Sequence, residues 1–124
     1  MGTIICVDLD GTISVDPEFF RAEMLGLRQR GHQVHVVSGM EHGKATPADV
    51  AAKRQELAKL GMSGSYDRLV VVDGPHSKIP KHKVAYMKKV GATHLVDNRK
   101  GNCRAAVKAG FTAHHMMAPQ KKGR

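Results

Sequence analysis

The chain alternates short runs of β-branched and aliphatic residues with longer segments in which apolar residues recur every three or four positions. The short runs predict buried strands, and the longer segments predict amphipathic helices. The strand runs are residues 3–7, 34–37, 69–72, 94–96 and 111–117. A helix is expected after each of the first four strands. This order predicts an α/β fold, in which a doubly wound parallel sheet of about five strands carries helices on both faces in three layers.

Residues with strong positional preferences mark the ends of the predicted helices. An N-capping side chain followed by proline, or a proline alone, favours a helix start. Such starts are found at Asp16-Pro17, Thr46-Pro47 and Pro80, and a short fourth helix is expected over residues 102–109. Glycines that favour helix ends follow at positions 31, 61, 91 and 110. The predicted helices are therefore one to three turns long.

The length and composition fit one globular domain with a basic end. The chain has 124 residues, of which 41% are hydrophobic and 25% charged, which argues against a disordered or collagen-like chain. We expect a single domain over residues 1–118 and a basic tail over 119–124. The net charge is +9, but residues 63–124 hold thirteen Lys and Arg against three Asp. This excess favours an anionic partner such as a phosphate group or nucleic acid, although a basic solvated face is an alternative.

The cysteines and the first apolar run bear on the cellular compartment. Cys6 and Cys103 are too few for a disulfide framework, and Cys6 is expected to be a small buried residue. The run at residues 3–7 is too short to span a membrane, and no basic segment typical of a signal peptide precedes it. We therefore expect a cytoplasmic protein with no membrane partner. The sequence gives no indication of the oligomeric state.

Polar residues that can carry chemistry stand at the predicted carboxyl ends of the strands. Asp8 and Asp10 follow the first strand, Ser38 the second and Asp97 the fourth. Parallel strands share one carboxyl edge, so these side chains should meet at one rim. Carboxylates packed closely favour a bound cation, and a site of oxygen ligands suits Mg²⁺. A phosphate bound there would meet the Ser38 hydroxyl and a lysine from the third helix.

Four segments in this order resemble the motifs of the haloacid dehalogenase-like (HAD-like) phosphohydrolases. Asp8-Leu9-Asp10-Gly11-Thr12 after an apolar strand resembles the first motif. The other three are Val36-Val37-Ser38-Gly39, a lysine such as Lys81, and Leu95-Val96-Asp97-Asn98. The resemblance extends from residue 3 to about residue 117, and the ordered set is more specific than any one motif.

The resemblance implies a role for each matching residue. Asp8 would be the nucleophile that forms an aspartyl-phosphate, and Asp10 the general acid and then the general base. Mg²⁺ would be held by Asp8, Asp97 and the backbone carbonyl of Asp10. The residues expected to bind phosphate are Gly11, Thr12, Ser38, Gly39 and Lys81. Lys81 is preferred over Lys83 because it lies in the first turn of the predicted third helix.

One position departs from the family pattern. Many relatives carry a second acid in the fourth motif, whereas here Asn98 follows Asp97 and Asn102 lies a few residues further on. An asparagine can accept a hydrogen bond from a metal-bound water but brings no charge. The sequence leaves open which asparagine replaces the missing acid.

The chain has no room for the cap domain that covers many HAD-like sites. Five residues separate Asp10 from the helix start at Asp16, and residues 73–80 are too few for the other insertion. An open site suits a large or polyanionic phosphorylated substrate such as a nucleic-acid end, as in the phosphatase part of polynucleotide kinases. The alternative is a nucleotide or sugar phosphate. Residues 40–45 are the longest candidate flap at the rim.

Two other functional classes are open at this point. A phosphoacceptor receiver domain has similar length, five βα units, acidic residues after its first strand and an active lysine, and Asp73 after the third strand would then be the phosphorylated residue. Asp97 after the fourth strand does not match that pattern, and Gly74-Pro75 favours a turn role for Asp73. A nucleic-acid-binding module that kept only the fold is a third reading, which the complete Asp8-to-Thr12 motif disfavours.

Overall fold

The computed structural model describes residues 2–116, so the expected tail and the end of the last predicted strand lie outside the described residues. Five strands and four helices alternate along the chain. They are β1 (Ile4–Val7), α1 (Pro17–Gln29), β2 (Gln33–Gly39), α2 (Pro47–Lys59), β3 (Arg68–Val72), α3 (Ile79–Val90), β4 (His94–Asp97), α4 (Lys100–Lys108) and β5 (Thr112–His115). Short 3₁₀ turns at Ile13–Val15 and His76–Lys78 precede α1 and α3.

The five strands form one parallel sheet in the order β3-β2-β1-β4-β5. This arrangement confirms the predicted doubly wound α/β fold. The chain builds outward from β1 to β3 and then returns, so that β4 pairs with the free side of β1. A crevice opens beyond the carboxyl ends of β1 and β4, and open α/β sheets bind ligands at such a point.

Two apolar cores lie on opposite faces of the sheet. Alternation along β1 sends Ile5 and Val7 into one core and Cys6 into the other. The first core packs against α1 and α2, for example through Met24 and Leu57. The second core packs against α3 and α4. Strand β1 is therefore buried on both faces, which explains why its sequence is apolar without alternation and why Cys6 is fully buried as expected.

The capping signals locate two helix starts closely. The Asp16 side chain accepts a hydrogen bond from the backbone N–H of Phe19 at 3.3 Å, and α1 begins at Pro17. Helix α2 begins at Pro47 behind a capping box formed by Thr46 and Asp49. The later helices start earlier than expected. Helix α3 begins one residue before Pro80, and α4 begins at Lys100 rather than at residue 102.

Neither insertion point carries a cap domain in the described part of the chain. A single 3₁₀ turn follows Asp10 before α1, and another lies between β3 and α3. This confirms the expectation of an uncovered rim. Within residues 2–116 no helix is both long and apolar enough to cross a bilayer.

Truncation of Met87 should test the second core. Met87 on α3 is fully buried, so Met87→Ala should lower the free energy of unfolding by about 2–5 kcal/mol through lost burial and an unfilled cavity. Val107 on α4 is 59% exposed, and Val107→Ala should change it by less than about 0.5 kcal/mol. Urea unfolding of the two variants measures the difference. Equal losses would show that α3 does not pack as described.

Candidate active site

The register of β1 and β4 brings two carboxylates together. Val7 pairs with Val96, and the backbone N–H of Asp8 donates to the Val96 carbonyl at 2.9 Å. Asp8 therefore follows β1 at the level where Asp97 ends β4. Both side chains are withdrawn from solvent, with Asp8 at 6% exposure and Asp97 at 0%. The expected meeting of these two acids is present at the crevice.

Lys83 lies between the two carboxylates. Its Nζ donates to Asp8 Oδ1 at 2.7 Å and to Asp97 Oδ2 at 2.8 Å. The preference for Lys81 is wrong, since Lys81 is exposed on the other side of the helix. The buried positions of α3 are Ile79, Lys83 and Met87, spaced four residues apart. That spacing places Lys83 on the face turned to the sheet.

Further contacts fix Asp97 in place. Its Oδ1 accepts the backbone N–H of Arg99 at 3.0 Å, and its Oδ2 accepts the side-chain amide of Asn102 at 3.0 Å. Asn102 is itself buried. Of the two asparagines considered as substitutes for a second acid, Asn102 therefore holds Asp97 rather than facing Asp8.

The electrostatics follow from burial and from this ion-pair network. Burial raises the pKa of Asp8 to about 6; Lys83 opposes the rise and Asp97 adds to it. The carboxylate form of Asp8 still predominates at neutral pH. Burial disfavours the charged form of Lys83, but the two carboxylates outweigh this and raise its pKa. The lysine thus stays charged between the acids.

Asn98 lies on the other side of Asp8, against a set of oxygens. One terminal atom of its amide is 2.9 Å from Asp8 Oδ2 and 3.1 Å from the Asp10 carbonyl oxygen. That atom is best assigned as the amide nitrogen, which donates to both oxygens. The two oxygens that Asn98 brings together, Asp8 Oδ2 and the Asp10 carbonyl oxygen, are of the kind that Mg²⁺ prefers, so the donor chemistry fits this ion.

Asp8 and Asp97 present carboxyl groups at this point, and Asp10 presents a backbone oxygen instead. Among residues 2–116, no three His, Cys, Asp or Glu side chains are arranged to hold a metal by themselves. The reason is that Asp10 turns its carboxyl group elsewhere and presents only its backbone carbonyl near Asn98. The Asp10 carbonyl is the ligand that the resemblance implies, and its role in metal binding stays a prediction.

Gly11 and Thr12, which were expected to bind phosphate, shape the turn after β1 and contact Asp8. The N–H of Gly11 donates to Ser14 Oγ at 2.9 Å, and that of Thr12 to the Leu9 carbonyl at 3.3 Å. Both groups thus close the turn, and the structure does not support their expected role in binding phosphate. The Thr12 hydroxyl instead donates to Asp8 Oδ2 at 3.2 Å. Gly11 has a φ of +79°, and a Cβ there would lie 2.5 Å from the Asn98 amide, so only glycine fits.

The carboxyl group of Asp10 points toward β2 and α2. Its Oδ2 accepts the hydroxyl of buried Ser38 at 3.4 Å and the ammonium of Lys53 at 2.8 Å. Ser38 therefore lies at the site, where its hydroxyl donates a hydrogen bond to Asp10. Lys53 was missed by the sequence analysis, because α2 is remote in sequence and carries no motif.

A cleft of about 160 Å³ opens above these groups. It is lined by Asp8, Asp10, Gly39, Met40, Glu41, His76, Ile79, Lys83, Arg99 and Asn102. Gly39 is among the lining residues, as expected, and Ile79 packs so close to it that a Cβ would lie 2.6 Å from the isoleucine Cδ1. Arg99 adds a cation to the rim.

Residues 40–45, expected as a flap, are tied to the segment after β3. The backbone N–H of Gly74 donates to the Gly43 carbonyl at 2.8 Å, and that of His76 to the Glu41 carbonyl at 2.9 Å. Asp73 Oδ1 accepts the N–H of Ala45 at 2.8 Å. Asp73 therefore anchors a loop, which matches the turn role preferred for it. The segment forms a wall of the cleft.

Comparison with known proteins gives fold likenesses only. No family model and no curated protein matches the chain. A universal stress protein from Archaeoglobus fulgidus, solved in complex with dAMP, has a TM-score of 0.60 at 19% identity, covering 90% of this chain and 94% of that one. A HAD family enzyme from Bacteroides thetaiotaomicron, solved with magnesium and inorganic phosphate, has a TM-score of 0.57 at 11% identity, covering 99% and 98%. D,D-heptose 1,7-bisphosphate phosphatase from Burkholderia thailandensis has a TM-score of 0.55 at 17% identity, covering 88% and 74%.

These likenesses establish a fold that both groups of proteins share. The HAD family enzyme, the heptose bisphosphate phosphatase and the universal stress protein match with similar TM-scores, so the backbone does not distinguish between these kinds of protein. Function has to be argued from the side chains at the crevice.

The free energy of unfolding of two variants should show which of the candidate lysines, Lys81 or Lys83, is buried between the acids. Lys83→Met leaves Asp8 and Asp97 buried without their cation, so the free energy of unfolding should fall by about 3–5 kcal/mol. Lys81→Met, the same change on the exposed side of α3, should leave it nearly unchanged. Urea unfolding in chelator at neutral pH measures both. A larger loss for Lys81→Met would contradict the placement of the helix.

Proposed function

We propose that this chain is a HAD-like phosphatase that hydrolyses phosphomonoesters with Mg²⁺ through an aspartyl-phosphate. The observation that carries the proposal is the Asp8–Lys83–Asp97 network at the crevice between β1 and β4, with Asp10 two residues beyond Asp8. A buried carboxylate held beside a cation, with a second carboxyl group close in sequence, supplies a nucleophile and a proton donor.

The proposed reaction assigns one step to each acid. An oxygen of Asp8 attacks phosphorus and forms the aspartyl-phosphate, while the bond to the ester oxygen breaks and Asp10 gives that oxygen a proton. Asp10, now a carboxylate, takes a proton from water as the water attacks the phosphoenzyme. Phosphate leaves and the Asp8 carboxylate is restored. Lys83 and Arg99 line the cleft and would offset the charge of the phosphoryl group.

Asp8, the Asp10 carbonyl oxygen and Asp97 are the groups that would hold Mg²⁺, with Asn98 beside them. The ion supplies charge neutralisation between the attacking carboxylate and the phosphoryl oxygens when it is bound. The support is that Asp8 Oδ2 and the Asp10 carbonyl oxygen both approach the Asn98 amide, at 2.9 and 3.1 Å, so that two oxygens of the kind Mg²⁺ prefers lie near each other. Thr12 would keep the Asp8 carboxyl group in orientation through its hydroxyl.

The side chains favour this function over the alternatives. The receiver reading needs Asp73 as the phosphorylated group, yet its carboxylate accepts the N–H of Ala45, whereas Asp8 carries the lysine contact. A binding module that kept only the fold gains nothing from a buried lysine between two acids, because removing these charges from water costs free energy. Binding of a nucleotide such as dAMP would be the outcome expected if the chain resembled the universal stress protein solved with that ligand.

The proposal is tested by activity toward a small aryl phosphate. Activity should require Mg²⁺, disappear in excess chelator, and fall at least about a thousandfold in Asp8→Asn, because an amide does not attack phosphorus. Asp16→Asn makes the same change at an exposed helix cap that tolerates asparagine and should keep wild-type rates. Unchanged turnover in Asp8→Asn, or full activity in chelator, would contradict the proposed nucleophile or metal.

We further propose that the open rim receives a polyanionic substrate, such as a phosphorylated nucleic-acid end, in preference to a small sugar phosphate. The support is the absence of a cap from the described chain and the cations that follow β4. Arg99, Lys100 and Arg104 are all exposed near the start of α4, and Lys81 is exposed on α3. These cations can meet phosphates beyond the one being hydrolysed.

The salt dependence of binding tests this substrate class. Each phosphate neutralised by a cation should add about 0.7–0.9 to the slope of log affinity against log salt. The affinity of Asp8→Asn for a 3′-phosphorylated oligonucleotide should therefore fall more steeply with salt than that for a mononucleotide. Equal slopes would instead indicate a small substrate and a basic face with another role.

A further inference from the structure

Lys53 reaches the carboxyl group of Asp10 from α2, a helix that also places Glu56 beside the same carboxyl group. Its ammonium donates to Asp10 Oδ2 at 2.8 Å, and Ser38 Oγ donates to the same oxygen at 3.4 Å. Both contacts fall on Oδ2, and Asp10 is among the residues that line the cleft. We propose that Lys53 is a positioning residue, which fixes the Asp10 carboxyl group so that Oδ1 meets the leaving oxygen. The inference rests on the proposed phosphatase function.

Asp10 needs such a restraint because of where it lies. Its side chain is 57% exposed in the turn after β1, whereas the Asp8 side chain is 9% exposed. An exposed carboxyl group samples several rotamers, and a misplaced proton donor loses much of its effect. The Lys53 side chain is only 22% exposed, so it is packed well enough to hold one position.

Helix α2 is itself fixed at its start. Thr46 and Asp49 form the capping box, and the N–H of the preceding Ala45 donates to Asp73 after β3. The ammonium also lies 4.0 Å from Glu56, one turn further along the helix. Lys53 is therefore placed by the sheet and by its own helix. The contact with Asp10 joins the turn after β1 to α2.

The proposed role makes a selective chemical prediction. A proton donor matters most when the leaving oxygen is strongly basic, as in an alkyl phosphate, and little when it is weakly basic, as in p-nitrophenyl phosphate. A residue that positions Asp10 should therefore affect the alkyl ester much more than the aryl ester. A residue that only stabilises the fold should affect both esters equally.

The experiment compares kcat/KM for p-nitrophenyl phosphate and glycerol phosphate in Lys53→Met, Lys53→Arg and Lys59→Met. Lys53→Met should lose about 10–100-fold on glycerol phosphate, a part of the general-acid contribution, and less than about threefold on the aryl ester. Lys53→Arg keeps a cation at Asp10 and should recover part of the loss. Lys59→Met, the same change at the exposed end of α2, should leave both rates unchanged. Thermal unfolding checks that every variant is folded.

The possible contrary results have distinct meanings. Equal losses of the two esters in Lys53→Met would show a structural role and overturn the positioning role alone. A rise in the glycerol phosphate rate would show that Lys53 restrains Asp10 in an unproductive position, which also overturns it. If the wild-type protein hydrolyses neither ester with Mg²⁺, the phosphatase function fails, and the role of Lys53 fails with it.

Discussion

The close approach of two buried acids, Asp8 and Asp97, constrains the packing of the elements around them. The strand order places Asp8 and Asp97 at adjacent strand ends, and both are almost fully buried. Carboxylates so placed repel strongly unless a cation separates them. Lys83 supplies that cation, which requires α3 to pack with Lys83 on its buried face between Ile79 and Met87. Because two carboxylates face one ammonium, a negative charge remains, and it favours the binding of a further cation beside Asp8.

The shared fold explains why structural likeness alone leaves the function undetermined. A five-stranded doubly wound sheet offers a ligand crevice at its switch point whatever its side chains are. Both nucleotide-bound and phosphate-bound proteins match this chain over most of its length. The buried ion-pair network is the more specific feature, since it costs desolvation and brings little stability that apolar residues would not bring. A network of that cost at the crevice is better explained by chemistry than by folding.

The sequence predicted the fold well, because strand runs and helix caps are local signals. Asp16 and Thr46 marked two helix starts, and the strand-end positions of Asp8 and Asp97 followed from parallel order. The prediction of Lys81 as the lysine of the site was wrong, because α3 starts one residue earlier than expected and its buried face includes Ile79 and Met87. Four-residue spacing from those apolar positions would have indicated Lys83. Lys53 had no such signal, since its contact with Asp10 spans 43 residues and depends on how α2 packs.

Asp8 and Asp10 show how one turn can give two acids different properties. They are two residues apart, yet Asp8 is buried against Lys83 and Thr12, while Asp10 is exposed toward Lys53. A buried, fixed carboxylate suits attack on phosphorus, and an exposed one suits exchange of protons with a leaving group and with water. The first environment is built by the strand ends and α3, and the second by β2 and α2. The surroundings of the two acids thus come from opposite faces of the sheet, which meet at the crevice beyond β1.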